Sequence, residues 1–255
     1  MIFIEDRSEE QIEAIISFLK SFRKPFVIGL SGGVDSAVAA KLCSLAGKTK
    51  ALIMPDEVTP KKNVNDAVQF AESIGIEHEL IKIDGVVRAF GPFKNIRSQS
   101  NTKARARMVL LYRVANDEDS LVVGAGNKSE IMVGYFTKSG DGNCDILPIG
   151  DLYKTEVTNI AHRLGIPDEI TEKAPSADLY EGQTDEMELG IDYLILDLIL
   201  RGFELGMDVG ETTTYLSINS DLVKRVENMV RESTHKRSPP VILKLGLRTP
   251  YIDWS

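Results

Sequence analysis

Four short stretches of strand type, at 26–30, 50–54, 78–83 and 121–124, alternate along the chain with stretches of helical periodicity. This alternation limits the fold more than any other feature. Residues 9–22 place Ile12, Ile15, Ile16 and Leu19 on one helix face, with Ser8 as the N-cap. A small-residue helix runs to Ala46 and ends at Gly47. Further helices are expected at 61–74, 99–117 and 152–164, the last closed by Gly165 and Pro167. The early apolar runs are continuous rather than alternating. Strands of that kind are buried on both faces, as in a parallel sheet covered by crossover helices. The expected fold is α/β, a doubly wound, mostly parallel open sheet with helices on both faces. Such sheets bind ligands beyond the carboxyl ends of their strands.

Residues 172–184 read as a mobile acidic loop, and 185–201 and 219–231 as helices. The tail 232–255 contains His235-Lys236-Arg237, and its lone Trp254 is expected to dock on the core. No repeat or linker interrupts the chain, so 1–255 reads as a single domain. With 43% hydrophobic and 27% charged residues, a chain of this length can bury a sizeable core. The net charge of −8 speaks against a grip on nucleic acid, which favours a positive excess. No apolar stretch approaches the roughly 18 residues of a membrane span. No cationic segment followed by an apolar one marks a secretory signal. A cytoplasmic protein with no membrane or nucleic-acid partner is expected.

Cys43 and Cys144 cannot frame a disulfide scaffold, and no C-x-x-C pair is present. Cys43 reads as a small core hydrophobe. His78 and His162 read as packing or surface residues. Glu186, Glu188, Asp192 and Asp197 read as a solvated helix face.

The first apolar run leads into Gly29-Leu30-Ser31-Gly32-Gly33-Val34-Asp35-Ser36, which opens a helix. Glycines admit close backbone approach, and the free N–H groups of a helix start favour an anion. Ser31 and Ser36 add hydroxyls. Asp35 would repel a phosphate unless Mg2+ bridged the two. A tight β–α turn with a helix cap is the plainer alternative, but it does not account for this whole set. Nor is this the common phosphate loop, because no Lys follows the glycines. Simple γ-phosphate hydrolysis is therefore disfavoured.

Further segments carry chemistry. Asn101-Thr102-Lys103-Ala104-Arg105-Ala106-Arg107-Met108 places cations at i, i+4, where they repel unless anionic ligands offset them. Gly124-Ala125-Gly126-Asn127-Lys128-Ser129-Glu130 follows the fourth run, and Glu130 is either a helix-start acid or a metal ligand. Phe136-Thr137-Lys138-Ser139-Gly140-Asp141-Gly142-Asn143-Cys144-Asp145 is a glycine-punctuated loop, and Pro175-Ser176-Ala177-Asp178 lies in the acidic loop.

The Ser31–Ser36 loop resembles the pyrophosphate loop of the adenine nucleotide alpha hydrolase superfamily. Taken in order, all these segments resemble the short, ammonia-dependent NAD synthetases. The resemblance implies an adenine nucleotide alpha hydrolase-like fold and ATP-dependent amidation of deamido-NAD through an NAD-adenylate, yielding NAD, AMP and pyrophosphate. It implies that Gly29, Leu30, Ser31, Gly32, Gly33, Val34, Asp35 and Ser36 hold ATP, with Ala125, Lys154 and Ser176. It implies that Arg105, Lys138, Asp145, His235 and Lys236 hold deamido-NAD, and that Asp35 and Glu130 ligate Mg2+. It also implies a homodimer, with flexible loops around 84–92 and 176–186. Ala125 departs from the usual Thr, which removes a hydroxyl contact to ATP. A glutamine-using enzyme would need an amidase domain before the first strand, for which residues 1–25 leave no room, so free ammonia is the expected nitrogen source. Rival readings are a tRNA-thiolating enzyme, which usually brings Cys pairs and RNA-binding extensions, and a non-catalytic ATP-binding module, which would not need the cationic helix, Glu130 and the Lys138 loop together.

Overall fold

The computed structural model describes residues 6–176, 180 and 184–250. Residues 177–179 and 181–183 of the expected acidic loop lie outside the described residues, as does Trp254. In chain order the first elements are α1 (Ser8–Ser21), β1 (Phe26–Gly29), α2 (Val34–Ala46), β2 (Thr49–Ile53), α3 (Lys61–Ser73) and β3 (Glu77–Leu80). Then come α4 (Asp84–Ala89), α5 (Ile96–Asp117), β4 (Leu121–Val123), α6 (Lys128–Val133), α7 (Lys154–Arg163) and α8 (Asp168–Thr171). The C-terminal part is helical: α9 (Asp185–Leu189), α10 (Tyr193–Glu204), α11 (Val209–Leu216), α12 (Ser220–Glu232) and α13 (Thr234–Arg237).

The four strands form one parallel sheet in the order β3-β2-β1-β4. Period-2 geometry explains the continuous apolar runs. Phe26, Ile28, Ala51, Ile53 and Val123 face one core, shared with α1, α2, α3 and α7. Val27, Leu52 and Val122 face the other, shared with α4 and α5. Both faces need apolar residues because both are covered. The small residues of α2 follow from the same crowding, since Ala37, Val38, Ala39 and Ala40 are all fully buried. A third cluster joins Val133 and Tyr153 to α10 and α12.

From β1 the chain moves outward through α2, β2 and α3 to β3, then returns by α4 and α5 to place β4 on β1's other side. The strand order thus reverses between β1 and β4, where an open α/β sheet makes its ligand crevice. The loops after β1 and β4 flank that point.

Several expectations need correction. The third strand is not buried on both faces. β3 is an edge strand, largely exposed, whose Glu77 and Glu79 pair with Lys50 at 2.9 and 3.8 Å. The expected loop at 84–92 contains a helical turn, α4. The expected helix 185–201 is two helices, because Gly190 takes φ +66 and ends α9. Ser8 is the first residue of α1 rather than its cap, and its N–H donates to Asp6 Oδ1 at 3.1 Å.

Candidate active site

Asp35, in the first turn of α2, is the hub of the crevice. Asn127 Nδ2 donates to its Oδ1 at 3.0 Å across 92 residues of sequence. The Lys154 ammonium donates to its Oδ2 across 119 residues. The lysine missing after the glycines is thus replaced by one at the start of α7. Lys154 is 4% exposed, and its Nζ lies 5.3 Å from the centre of the Tyr193 ring. Burial alone would depress this ammonium, but Asp35 and Glu130 outweigh it and hold its pKa above the ordinary lysine value.

Glu130 takes the first of its two alternatives, that of a helix-start acid. It completes a capping box on α6, in which Glu130 N donates to Asn127 Oδ1 at 3.0 Å and Asn127 N donates back to Glu130 Oε2 at 3.4 Å. Its other oxygen, Oε1, lies 3.4 Å from the Tyr193 hydroxyl. Burial first, and then the charge of Asp35, push its carboxyl up to about 8. Asp185 joins the cluster, its carboxylate 3.0 Å from the Tyr135 hydroxyl and 3.3 Å from that of Tyr193. Burial raises its pKa as well.

The glycine loop is braced from within. Ser31 Oγ and Ser36 Oγ lie 3.0 Å apart, Ser36 Oγ donates to Gly33 O at 2.9 Å, and Gly33 N donates to Ser31 Oγ at 3.2 Å. Gly32 takes φ +81, and a Cβ there would stand 2.4 Å from the carbonyl oxygen of Asn63. Lys173 clamps the same place, its Nζ donating to Gly32 O and Asn63 Oδ1, both at 2.8 Å, and pairing with Asp66 at 3.1 Å.

A second group is cationic. Arg105 is exposed on α5, and its Nη2 donates to Lys138 O at 3.2 Å. Lys138 Nζ donates to His235 O at 2.6 Å. Lys236 Nζ donates to Gly134 O and Phe136 O at 2.6 and 2.7 Å. Arg105, Lys138, His235 and Lys236 therefore meet, although they come from three distant segments. Asp145 does not share these bonds: its Oδ2 accepts from Val122 N at 2.8 Å and its Oδ1 from the Tyr112 hydroxyl at 3.1 Å. Ala125 is half-buried against the first core, and Ser176 is half-buried just before residue 177.

The cationic motif on α5 divides its work. The repulsion between Lys103 and Arg107 is met by protein rather than by ligand: Lys103 Nζ is 2.7 Å from Asp56 Oδ2, and Arg107 donates to Met54 O at 3.0 Å. Asn101 Oδ1 accepts from Thr137 Oγ at 3.0 Å, bracing the loop that carries Lys138.

The expectation of a solvated face on α10 is wrong for Asp197, which is 0% exposed and bonded to Ser129 and Thr155. Sequence reading also passed over Asn127, Lys173, Asp185 and Tyr193. Asn127 was visible as the first residue of an Asn-x-x-Glu box, and Asp197 as a lone acid flanked by Leu196 and Leu198.

Asp35 and Glu130 carry hard oxygen donors beside the glycine loop, the donor type that Mg2+ takes. No group of three or more metal-type side chains converges among the described residues. No described helix is long and apolar enough to cross a membrane.

The pattern of the NAD synthase family matches residues 7–240. The NH3-dependent NAD+ synthetase of Archaeoglobus fulgidus is 47% identical over 250 residues, covering 93% of this chain and 97% of its own. That of Sulfurisphaera tokodaii is 43% identical, covering 99% and 91%. Among solved structures, an NMN synthetase from Francisella tularensis superposes with a TM-score of 0.85 at 34% identity, over 94% of this chain and all of that one (100%). The NH3-dependent NAD synthetase of Campylobacter jejuni gives 0.79 at 29% identity, over 93% and 99%. Fold, crevice and relatives agree: the chain belongs to the NAD synthase family, ligases that use ATP to amidate deamido-NAD.

Proposed function

We propose that this chain makes NAD from deamido-NAD, ATP and free ammonia, with the residues of the β1–β4 crevice acting on ATP and the Arg105–Lys138 group holding the dinucleotide. The observation that carries the assignment of roles is the meeting of Asp35, Asn127, Glu130 and Lys154 beside the glycine loop.

The nicotinate carboxylate attacks the α-phosphorus of ATP, and the bond to the β-phosphate oxygen breaks. An acyl-adenylate forms and pyrophosphate departs. Ammonia then attacks the acyl carbon, AMP leaves, and a proton is released. Gly29, Leu30, Ser31, Gly32, Gly33, Val34, Asp35 and Ser36 hold the triphosphate, with backbone N–H groups at the start of α2 facing the anion. Lys154 sits where charge builds on the departing pyrophosphate. Ala125 and Ser176 border the nucleotide. Asp35 and Glu130 would hold Mg2+, which supplies charge neutralisation for the phosphate oxygens. Arg105, Lys138 and Lys236 place positive charge for the dinucleotide phosphates, His235 adds an imidazole beside them, and Asp145 joins this dinucleotide side. The relatives named NH3-dependent support free ammonia as the nitrogen source. A homodimer in the cytoplasm, each copy a single synthetase domain, completes the reading.

The test is an assay of purified protein with ATP, Mg2+, deamido-NAD and either ammonium or glutamine. NAD, AMP and pyrophosphate should appear in equal amounts with ammonium and not with glutamine. Release of ADP and phosphate, or no amide product, would sink the proposal. Because one structural relative is an NMN synthetase, nicotinate mononucleotide is offered in parallel. Preference for it would move the substrate assignment and leave the adenylation chemistry in place.

A further inference from the structure

Glu130 and Lys154 sit in the first turns of two different helices, α6 and α7. Nothing in either helix alone fixes their separation. The two helix starts are linked by Lys128 N donating to Leu152 O at 2.7 Å and, through side chains, by Asp197 from α10. Ser129 Oγ donates to Asp197 Oδ1 at 2.5 Å. Thr155 donates to Oδ2 through its N–H at 2.9 Å and its hydroxyl at 2.8 Å. Lys154 N in turn donates to Ser129 Oγ at 2.9 Å. Every one of these side-chain bonds ends on Lys154 or on a residue adjoining Glu130 or Lys154.

Asp197 is 0% exposed, and no Lys, Arg or His forms an ion pair with it among the described residues. Its carboxyl is met instead by these hydrogen bonds and by the N-terminal end of α7. One turn earlier on α10, Tyr193 places its hydroxyl 3.4 Å from Glu130 Oε1 and its ring 5.3 Å from Lys154 Nζ. The same face of one helix therefore reaches both site residues twice. Leu196, Ile199 and Leu200, each 0 or 1% exposed, fix α10 in the C-terminal cluster.

We propose that Asp197 is a positioning residue that holds Glu130 and Lys154 at their working separation, so that α10 sets the geometry of pyrophosphate departure. The inference rests on the roles given above to Glu130 and Lys154. A displacement of a fraction of an ångström there weakens stabilisation of the transition state more than it weakens binding of the dinucleotide, whose cations sit on α5, the Lys138 loop and α13.

The experiment compares wild type, Asp197→Asn, Ser129→Ala and, as a comparator elsewhere in the helical cluster, Thr212→Ala. Each is measured for Tm, for kcat and KM with deamido-NAD, and for affinity towards a non-cleavable α,β-methylene ATP analogue by calorimetry. Asp197→Asn and Ser129→Ala should lower kcat about tenfold or more, with KM for deamido-NAD held within about twofold. They should also bind the analogue several-fold more weakly. Thr212→Ala, which removes a buried hydroxyl that has no hydrogen-bond partner among the described residues, should leave kcat unchanged. If Asp197→Asn lowers Tm alone and keeps kcat and analogue affinity, the inference is overturned. If Asp197→Asn does not fold, Ser129→Ala decides by the same criteria. A wild type that makes no NAD removes the functional reading itself, whereas an active wild type with unaffected variants removes only the role of Asp197.

Discussion

Lys154 has no equivalent in the local sequence of the glycine loop, yet it stands against Asp35 with 5% of its side chain exposed. Its removal has two effects. Asp35 and Glu130 lose the cation that both act on, and, on the proposed role, the departing pyrophosphate loses a positive charge. Lys154→Met should therefore lower stability by about 3 kcal/mol, as expected when one partner of a largely buried pair is deleted. Urea unfolding reads this directly. Pyrophosphate release should fall at least about a hundredfold. Activity near wild type would show that the lysine only balances charge. Residues of this sort are hard to read in a sequence, because their meaning lies in a partner 119 positions away. The cations at 103 and 107 gave the same difficulty, since the acid that meets Lys103 is Asp56, on a different strand connection. Asp35 stood out because of its glycine and serine neighbours, but its own partners, Asn127 and Lys154, lie 92 and 119 positions away.

Elements were easiest to read where burial is symmetric. β1, β2 and β4 alternate between two apolar cores, so the sequence shows one apolar run and the strand is plain. β3 lies at the sheet edge and carries Glu77 and Glu79, so the same pattern overstated its burial. The helix expected across 185–201 failed at Gly190, whose positive φ allows α9 to end and α10 to leave in a new direction. That break is what frees α10 to bring Tyr193 and Asp197 under the site. The turn from β1 to α2 makes a sharper demand. Gly32→Ala places a Cβ 2.4 Å from Asn63 O at φ +81. The left-handed backbone alone costs about 1–2 kcal/mol for an alanine, and the clash moves either the loop or the start of α3. The variant should lose at least that much stability in a melt and raise KM for ATP. A variant with unchanged KM would show that the loop does not need this approach to α3.

Across the whole molecule, the acidic site and the stability of the fold are linked. Glu130 is raised from 4.5 to about 8 on folding, so the native state holds its proton more tightly than the unfolded chain. By linkage, stability is greatest below the unfolded value and falls as pH rises through that window. The ligand-free wild type should lose Tm between about pH 5 and 8, and Glu130→Gln should remove part of that slope. Equal slopes in the two proteins would show that Glu130 does not carry the effect. Added MgATP should stabilise the wild type more at the upper end of this range, where the carboxylate is more readily ionised. A slope of this kind cannot be read from composition, because it depends on which acids the fold brings together.

The strand order β3-β2-β1-β4 has a consequence for synthesis of the chain. The glycine loop emerges from the ribosome early, but Lys154 follows much later, and Tyr193 and Asp197 later still. His235 and Lys236 come almost last. No nascent chain that stops before Lys236 contains all the groups that meet around Asp35 and Lys138. On the proposed roles, cleavage of ATP waits until synthesis has passed Lys236, and no shorter nascent chain offers the adenylate, which water would waste, a place to form.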